Sequence, residues 1–224
     1  MNPELTPTTG SPHGEPAGSP HGEPAGDPSD PGRVVLLRHG QTEWSQAGRH
    51  TGHTDVALTP AGREQAHDVR GVLAALHLVR PWVWSSPRVR ARQTAELAGL
   101  GTPPTTDLLA EWDYGAYEGL TTEEIRVRVP DWTVWTHPCP GGETAASIAV
   151  RADAVLREAR ARAQGRDVVL VGHGHFSRVV LARWVGLTVD AGIHFAMSPA
   201  GVAVLGFEHG HEQIAALNIV AVPR

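Results

Sequence analysis

VVLLRHGQTEW, residues 34–44, opens with four apolar residues that suit a strand buried on both faces. The run stops at Arg38, His39 and Gly40, so a guanidinium and an imidazole stand side by side at a strand end. Either His39 is an ordinary surface residue there, or an anion docks at this point and His39 reacts with it. Outward from this stretch, strands and helices alternate. Thr59 as N-cap and Pro60 at the first position start a helix through residues 58–76. Trp82–Trp84 reads as a second strand. SSPRVRARQTAELAG, residues 85–99, reads as a helix capped by Ser86, with Pro87 in its first turn and Gly99 as its stop. A capping box, Thr121 with Glu124, opens a short helix that Pro130 should end. A longer helix over 143–164 carries Ile148, Ala152, Val155, Leu156 and Ala159 on one stripe. DVVLV, residues 167–171, is a buried strand leading into a helix through FSRVVLARWVG, and residues 201–220 form a hairpin turning at 208–211. This order predicts a three-layer α/β/α sandwich around a largely parallel sheet.

The totals exclude several chemistries. The chain has 224 residues and a net charge of −5, which favours neither nucleic acid nor an anionic membrane as partner. All nineteen basic residues are Arg; without Lys there is neither Schiff-base chemistry nor a P-loop lysine. Cys139 stands alone, so no internal disulfide or cysteine zinc site is expected. No segment has the length of a membrane span or the order of a signal peptide, so a soluble cytoplasmic protein is expected. Residues 1–32 carry SPHGEPAG twice in tandem, at 11–18 and 19–26, and are expected to be a disordered, dispensable extension. His13 and His21 within it offer at most a weak metal site. Residues 33–224 are left as one domain, with homo-oligomerisation open.

In sheets of this kind ligands gather beyond the carboxyl ends of the strands. Three predicted strands end in polar sequence: RHG (38–40), SSPRVR (85–90) and GHGH (172–175). His39 and His173 are thus expected to share a pocket with arginines. Arginine forks hold phosphate oxygens, and a neutral imidazole can attack phosphorus. The leaving oxygen needs a proton, which Glu111 in LLAEWDYGAYEGL (108–120) can supply.

In order and spacing, LLRHGQTEW, SSPRVRARQTA, LLAEWDYGAYEGL and VLVGHGHFSR resemble the motifs of the histidine phosphatase superfamily, phosphoglycerate mutase-like branch. The likeness spans about residues 33–220, and EWDYGAYEGL and DWTVWTH are similar to segments of its acid phosphatases. It implies His39 as nucleophile, Arg38 and Arg90 as phosphoryl grips, and His173 with the Gly174 backbone as further phosphate contacts. Glu111 would be acid and then base. Ser45, Thr51 and Gly52 fall where the family contacts substrate. Two departures stand out: Ser45 replaces the usual Asn, and Arg88 a usual apolar residue. The HxH of His173 and His175 is also a metal-hydrolase spacing, but no carboxylate lies within it and arginines surround it, so no metal is expected. His209 and His211 are expected in solvent, and Trp132, Trp135 and His137 in the core or over the pocket. Glu118 competes with Glu111 for the acid role, although only Glu111 matches the family position.

The expected activity is metal-independent, cofactor-free hydrolysis of small phosphorylated metabolites through a phosphohistidine. The alternatives are a phosphoglycerate mutase and a catalytically silent phospho-ligand binding module. Only twenty-one residues, 120–140, separate YEG from GGET, too few for a mutase-type lid. An acidic optimum is expected, with Glu111 protonated, His39 neutral and a cationic His173 aiding phosphate binding.

Overall fold

A computed structural model of the chain describes residues 31–222; the tandem repeat, His13 and His21 lie outside them. Five strands, β1 (Val34–Arg38), β2 (Trp82–Ser85), β3 (Val168–Gly172), β4 (Val202–Glu208) and β5 (His211–Ile219), form one sheet in the order β2-β3-β1-β4-β5. β2, β3 and β1 pair in parallel, while the β1–β4 and β4–β5 pairs are antiparallel. Only β4 therefore runs against the rest. Among the described residues six α-helices accompany the sheet: α1 (Glu43–Gln46), α2 (Pro60–Ala75), α3 (Val89–Leu97), α4 (Thr122–Arg126), α5 (Ala145–Arg162) and α6 (Gly174–Trp184).

Alternation along the strands separates two cores. Val35, Leu37, Val169 and Val171 face Val69 and Leu73 of α2 and Ala91 and Ala95 of α3. Val34, Leu36, Val168 and Leu170 face Ile148, Val155 and Leu156 of α5 and Val179 and Val180 of α6. Because helices cover both faces, the strands need no polar side, which is why VVLL and VVLV read as unbroken apolar runs. This is the expected α/β/α sandwich. No helix among the described residues is long and apolar enough to cross a membrane.

Asp167, at the head of β3, ties distant segments together. It accepts from the backbone N–H groups of Arg33 and Val79 and forms a forked ion pair with the Arg33 guanidinium at 2.7 Å. At the hairpin, His209 and Gly210 both have positive φ, 51° and 81°, the geometry of a two-residue turn that suits strand twist. His209 and His211 are exposed there, as expected.

Several local expectations are corrected. α3 starts at Val89, not after Ser86; Arg88 occupies its N-cap without a side-chain bond, and Asp55 Oδ1 accepts from Val89 N at 2.7 Å instead. Ser86 is withdrawn from capping because its hydroxyl meets His173. α4 ends at Arg126, four residues before Pro130, which therefore does not terminate it. GHGH divides between the end of β3 and the first turn of α6, with His173 as N-cap.

Candidate active site

The polar strand ends meet at the carboxyl edge of the parallel strands. His39 follows β1 directly, and its backbone is pinned on both sides: its N–H donates to Gly172 O and its carbonyl accepts from Ala200 N. Its Nδ1 lies 2.7 Å from Gly40 O, a carbonyl that can only accept, so Nδ1 carries the proton and Nε2 presents a lone pair. The ring is 5 % exposed. Burial, reinforced by Arg38 and Arg90, holds its pKa well below 6.5 and keeps it neutral.

The His173 ring centre lies 5.2 Å from that of His39, at 64°. Its Nδ1 accepts from Arg90 Nε at 3.2 Å, and its Nε2 is 2.7 Å from Ser86 Oγ. An accepting Nδ1 excludes the imidazolium, and burial followed by Arg90 drives the pKa well below 6.5. The expected cationic His173 is thus corrected: in the free protein it is neutral. Arg90 is fully buried, and its other nitrogens donate to the carbonyls of Thr51, Gly52 and Thr54. Glu118 holds that loop, accepting from Gly52 N and Thr54 N. Glu118 is thereby committed to the 51–54 loop.

Arg38 Nη1 donates to Met197 O, while its buried Nε has no partner. Such an orphaned donor marks a place where an acceptor from outside belongs. The guanidinium fits because residue 174 is glycine: a Cβ there would stand 3.1 Å from Arg38 Cζ. Glu111 is 8 % exposed, and both its oxygens are oriented by backbone donors: Oε1 accepts from Trp112 N and Phe176 N, Oε2 from His175 N. The first turn of α6 thus aims the carboxylate.

Arg38, His39, Ser45, Glu111, Arg178 and neighbours line a cavity of about 260 Å³, whereas Arg90 and His173 are fully buried and do not line it. A larger groove of about 510 Å³ lies between α2 and residues 221–222, far from this chemistry. Ser45 lines the cavity, but its hydroxyl donates to Thr42 O and accepts from Thr42 N in the capping box of α1. Thr51 also lines it, with Oγ1 donating to Arg49 O, whereas Gly52 serves through its backbone. Arg88, the other departure, places Nη2 2.9 Å from His53 Nδ1 and leaves its buried Nε unpartnered. The two rings of HxH diverge, His173 towards Ser86 and His175 towards Tyr114 OH at 2.6 Å. Among the described residues no three His, Cys, Asp or Glu side chains converge as metal ligands.

Sequence reasoning missed the roof. His50, Tyr114 and Arg178 line the cavity, with His50 tilted on Tyr114 at 4.7 Å and edge-on to Trp132 at 5.1 Å. Burial lowers the His50 pKa to about 4. Trp132 and Trp135 are buried in the core and do not line the cavity, so the core alternative holds for them; His137 is half-buried. One signal was available: Arg178 stands four residues after Gly174, on the same face of α6.

The family model of the histidine phosphatase superfamily (branch 1) matches residues 34–220. The chain is 52 % identical over 192 residues to an acid phosphatase of Mycobacterium tuberculosis, covering 86 % of this chain and 95 % of that one. It is 34 % identical over 190 residues to the sedoheptulose 1,7-bisphosphatase of Saccharomyces cerevisiae, covering 70 % and 69 % of the two chains. A solved structure of an M. tuberculosis open reading frame superposes with a TM-score of 0.84 at 51 % identity, covering 85 % and 99 %. Together these relatives support a hydrolase acting on phosphate esters. The chain belongs to the histidine phosphatase superfamily, branch 1, in both sequence and fold.

Proposed function

We propose that the protein hydrolyses small phosphomonoesters without a metal, through a phosphohistidine, and works best in mild acid. Nε2 of His39 attacks phosphorus in line, the P–N bond forms and the ester P–O bond breaks. Glu111 gives its proton to the departing oxygen, then takes one from the water that attacks phosphorus as the P–N bond breaks. Arg38 and Arg90, with His173 behind them, hold and neutralise the phosphoryl oxygens; Ser45, Thr51, Gly52 and Gly174 shape the rim.

The observation that carries this reading is the neutral His39, its Nδ1 tied to Gly40 O and its Nε2 bare, beside the unpartnered Nε of Arg38. The acidic optimum follows from two groups. Glu111 has to start protonated, and the depressed pKa of His39 lets the nucleophile stay neutral below 6.5. Because His173 is neutral as well, it adds no charge; its one N–H, on Nε2, faces Ser86 Oγ, so the ring acts by holding Arg90 through Nδ1.

Rapid quenching with a ³²P-labelled ester in excess chelator tests this. An acid-labile, base-stable phosphoenzyme is expected, absent from His39→Ala, whose turnover should fall at least about a thousandfold with its circular dichroism unchanged. Chelator-abolished turnover, or a kcat/KM that climbs steadily above pH 8, would overturn the mechanism.

A further inference from the structure

The charge lining the cavity is lopsided: Arg38, Arg49 and Arg178 face the single carboxylate of Glu111. The histidines add none at neutral pH, because burial holds His39, His50 and His175 below their usual range. Arg38 belongs to the reacting phosphoryl group. Arg49 is held through Nη1 alone, which donates to Gly119 O and pairs with Glu124 at 3.5 Å, and its side chain is 39 % exposed. Arg178 is different. Its Nε donates to Gly192 O at 2.9 Å and Nη2 to Ile193 O at 3.1 Å, and its Cζ lies 4.6 Å from the Trp135 ring centre. Its Nη1 has no acceptor among the described residues. The guanidinium is therefore held rigidly with one edge free. It lines the same cavity as Glu111.

We propose that Arg178 binds a second anionic group, a carboxylate or phosphate on the leaving side of the ester, and so selects small phosphomonoesters that carry a second acid. This rests on the phosphatase reading. Glu111 must reach the leaving oxygen, so the leaving group lies along Glu111, where Arg178 faces it. The proposed mechanism already sets two cations, Arg38 and Arg90, against the phosphoryl dianion, and Arg178 in the cavity wall is a cation beyond these. A second anion neutralises it, and a fork already fixed in place loses little entropy on binding. A cavity of about 260 Å³ is small for an organic ligand, so the second acid stands only a few bonds from the ester.

The test compares kcat/KM for 3-phosphoglycerate and glycerol 3-phosphate, which differ by a carboxylate in place of a hydroxymethyl group, with p-nitrophenyl phosphate as reference. The wild type should prefer the acid by at least about tenfold, and Arg178→Gln should bring that ratio close to one. Arg178→Lys, which keeps the charge but not the fork, should retain part of it. A wild-type ratio near one overturns the proposal, with no variant needed; so does a ratio that Arg178→Gln leaves intact. Turnover of the aryl phosphate without a preference sinks only the role of Arg178. No turnover of any ester sinks the phosphatase reading, and the role of Arg178 falls with it.

Discussion

His50 shows how burying an imidazole makes the stability of a fold depend on pH. The unfolded chain takes up the proton near pH 6.5, whereas the folded protein resists it down to about 4. The folded state thus binds fewer protons across that window. Stability is complete above pH 6.5 and is lost as pH falls towards 4, by on the order of 3 kcal/mol from His50 alone. His39, His173 and His175 are depressed in the same direction and add to the loss. The urea midpoint should drop steadily between pH 7 and 4.5, and His50→Asn should flatten that slope. A midpoint unchanged between pH 7 and 5 would refute neutral burial of these rings. Turnover and stability are therefore expected to pull apart in mild acid. At this scale the sequence was informative about His39, Glu111 and His173, because strand-end position and motif order mark them. It was silent about His50 and Tyr114, which reach the cavity only because separate loops fold over it.

The loop after β3 and the start of α6 show how one element serves several groups. Its first turn aims Glu111, its N-cap is His173, and its glycine makes room for Arg38. Gly174→Ala puts a methyl group 3.1 Å from Arg38 Cζ, tighter than ordinary contact. Arg38 must then shift from its place in the cavity wall, while helix propensity improves. We expect a KM for aryl phosphate raised by about tenfold or more, with thermal stability kept, since one well-placed charged contact is worth about that much. Unchanged kinetics would show that Arg38 does not need this approach. Helix starts at Thr59 and Thr121 were legible because a side chain near in sequence supplies the cap. Ser86 misled for the converse reason: its partner, His173, is 87 residues away.

For the whole molecule, Arg33 and Asp167 lock the amino ends of β1 and β3, 134 residues apart, and Val79 joins them. Burial works against the ionised carboxylate of Asp167, but the bonds from Arg33 and Val79 outweigh it and hold its pKa down. Asp167→Ala leaves these donors without acceptors and should destabilise the fold by about 3 kcal/mol in equilibrium unfolding, with kcat/KM little changed because the site lies at the opposite strand ends. A loss under 1 kcal/mol would show water replacing the carboxylate.

The sequence by itself determined the layered architecture and the placing of His39 at a strand end, since apolar runs, caps and strand-end motifs are local patterns that each segment carries alone. Tertiary structure decided which residues are neutral, which arginine keeps a free edge, and which hydroxyls are already bonded. Burial and long-range hydrogen bonds set those properties, and neither exists until distant segments pack.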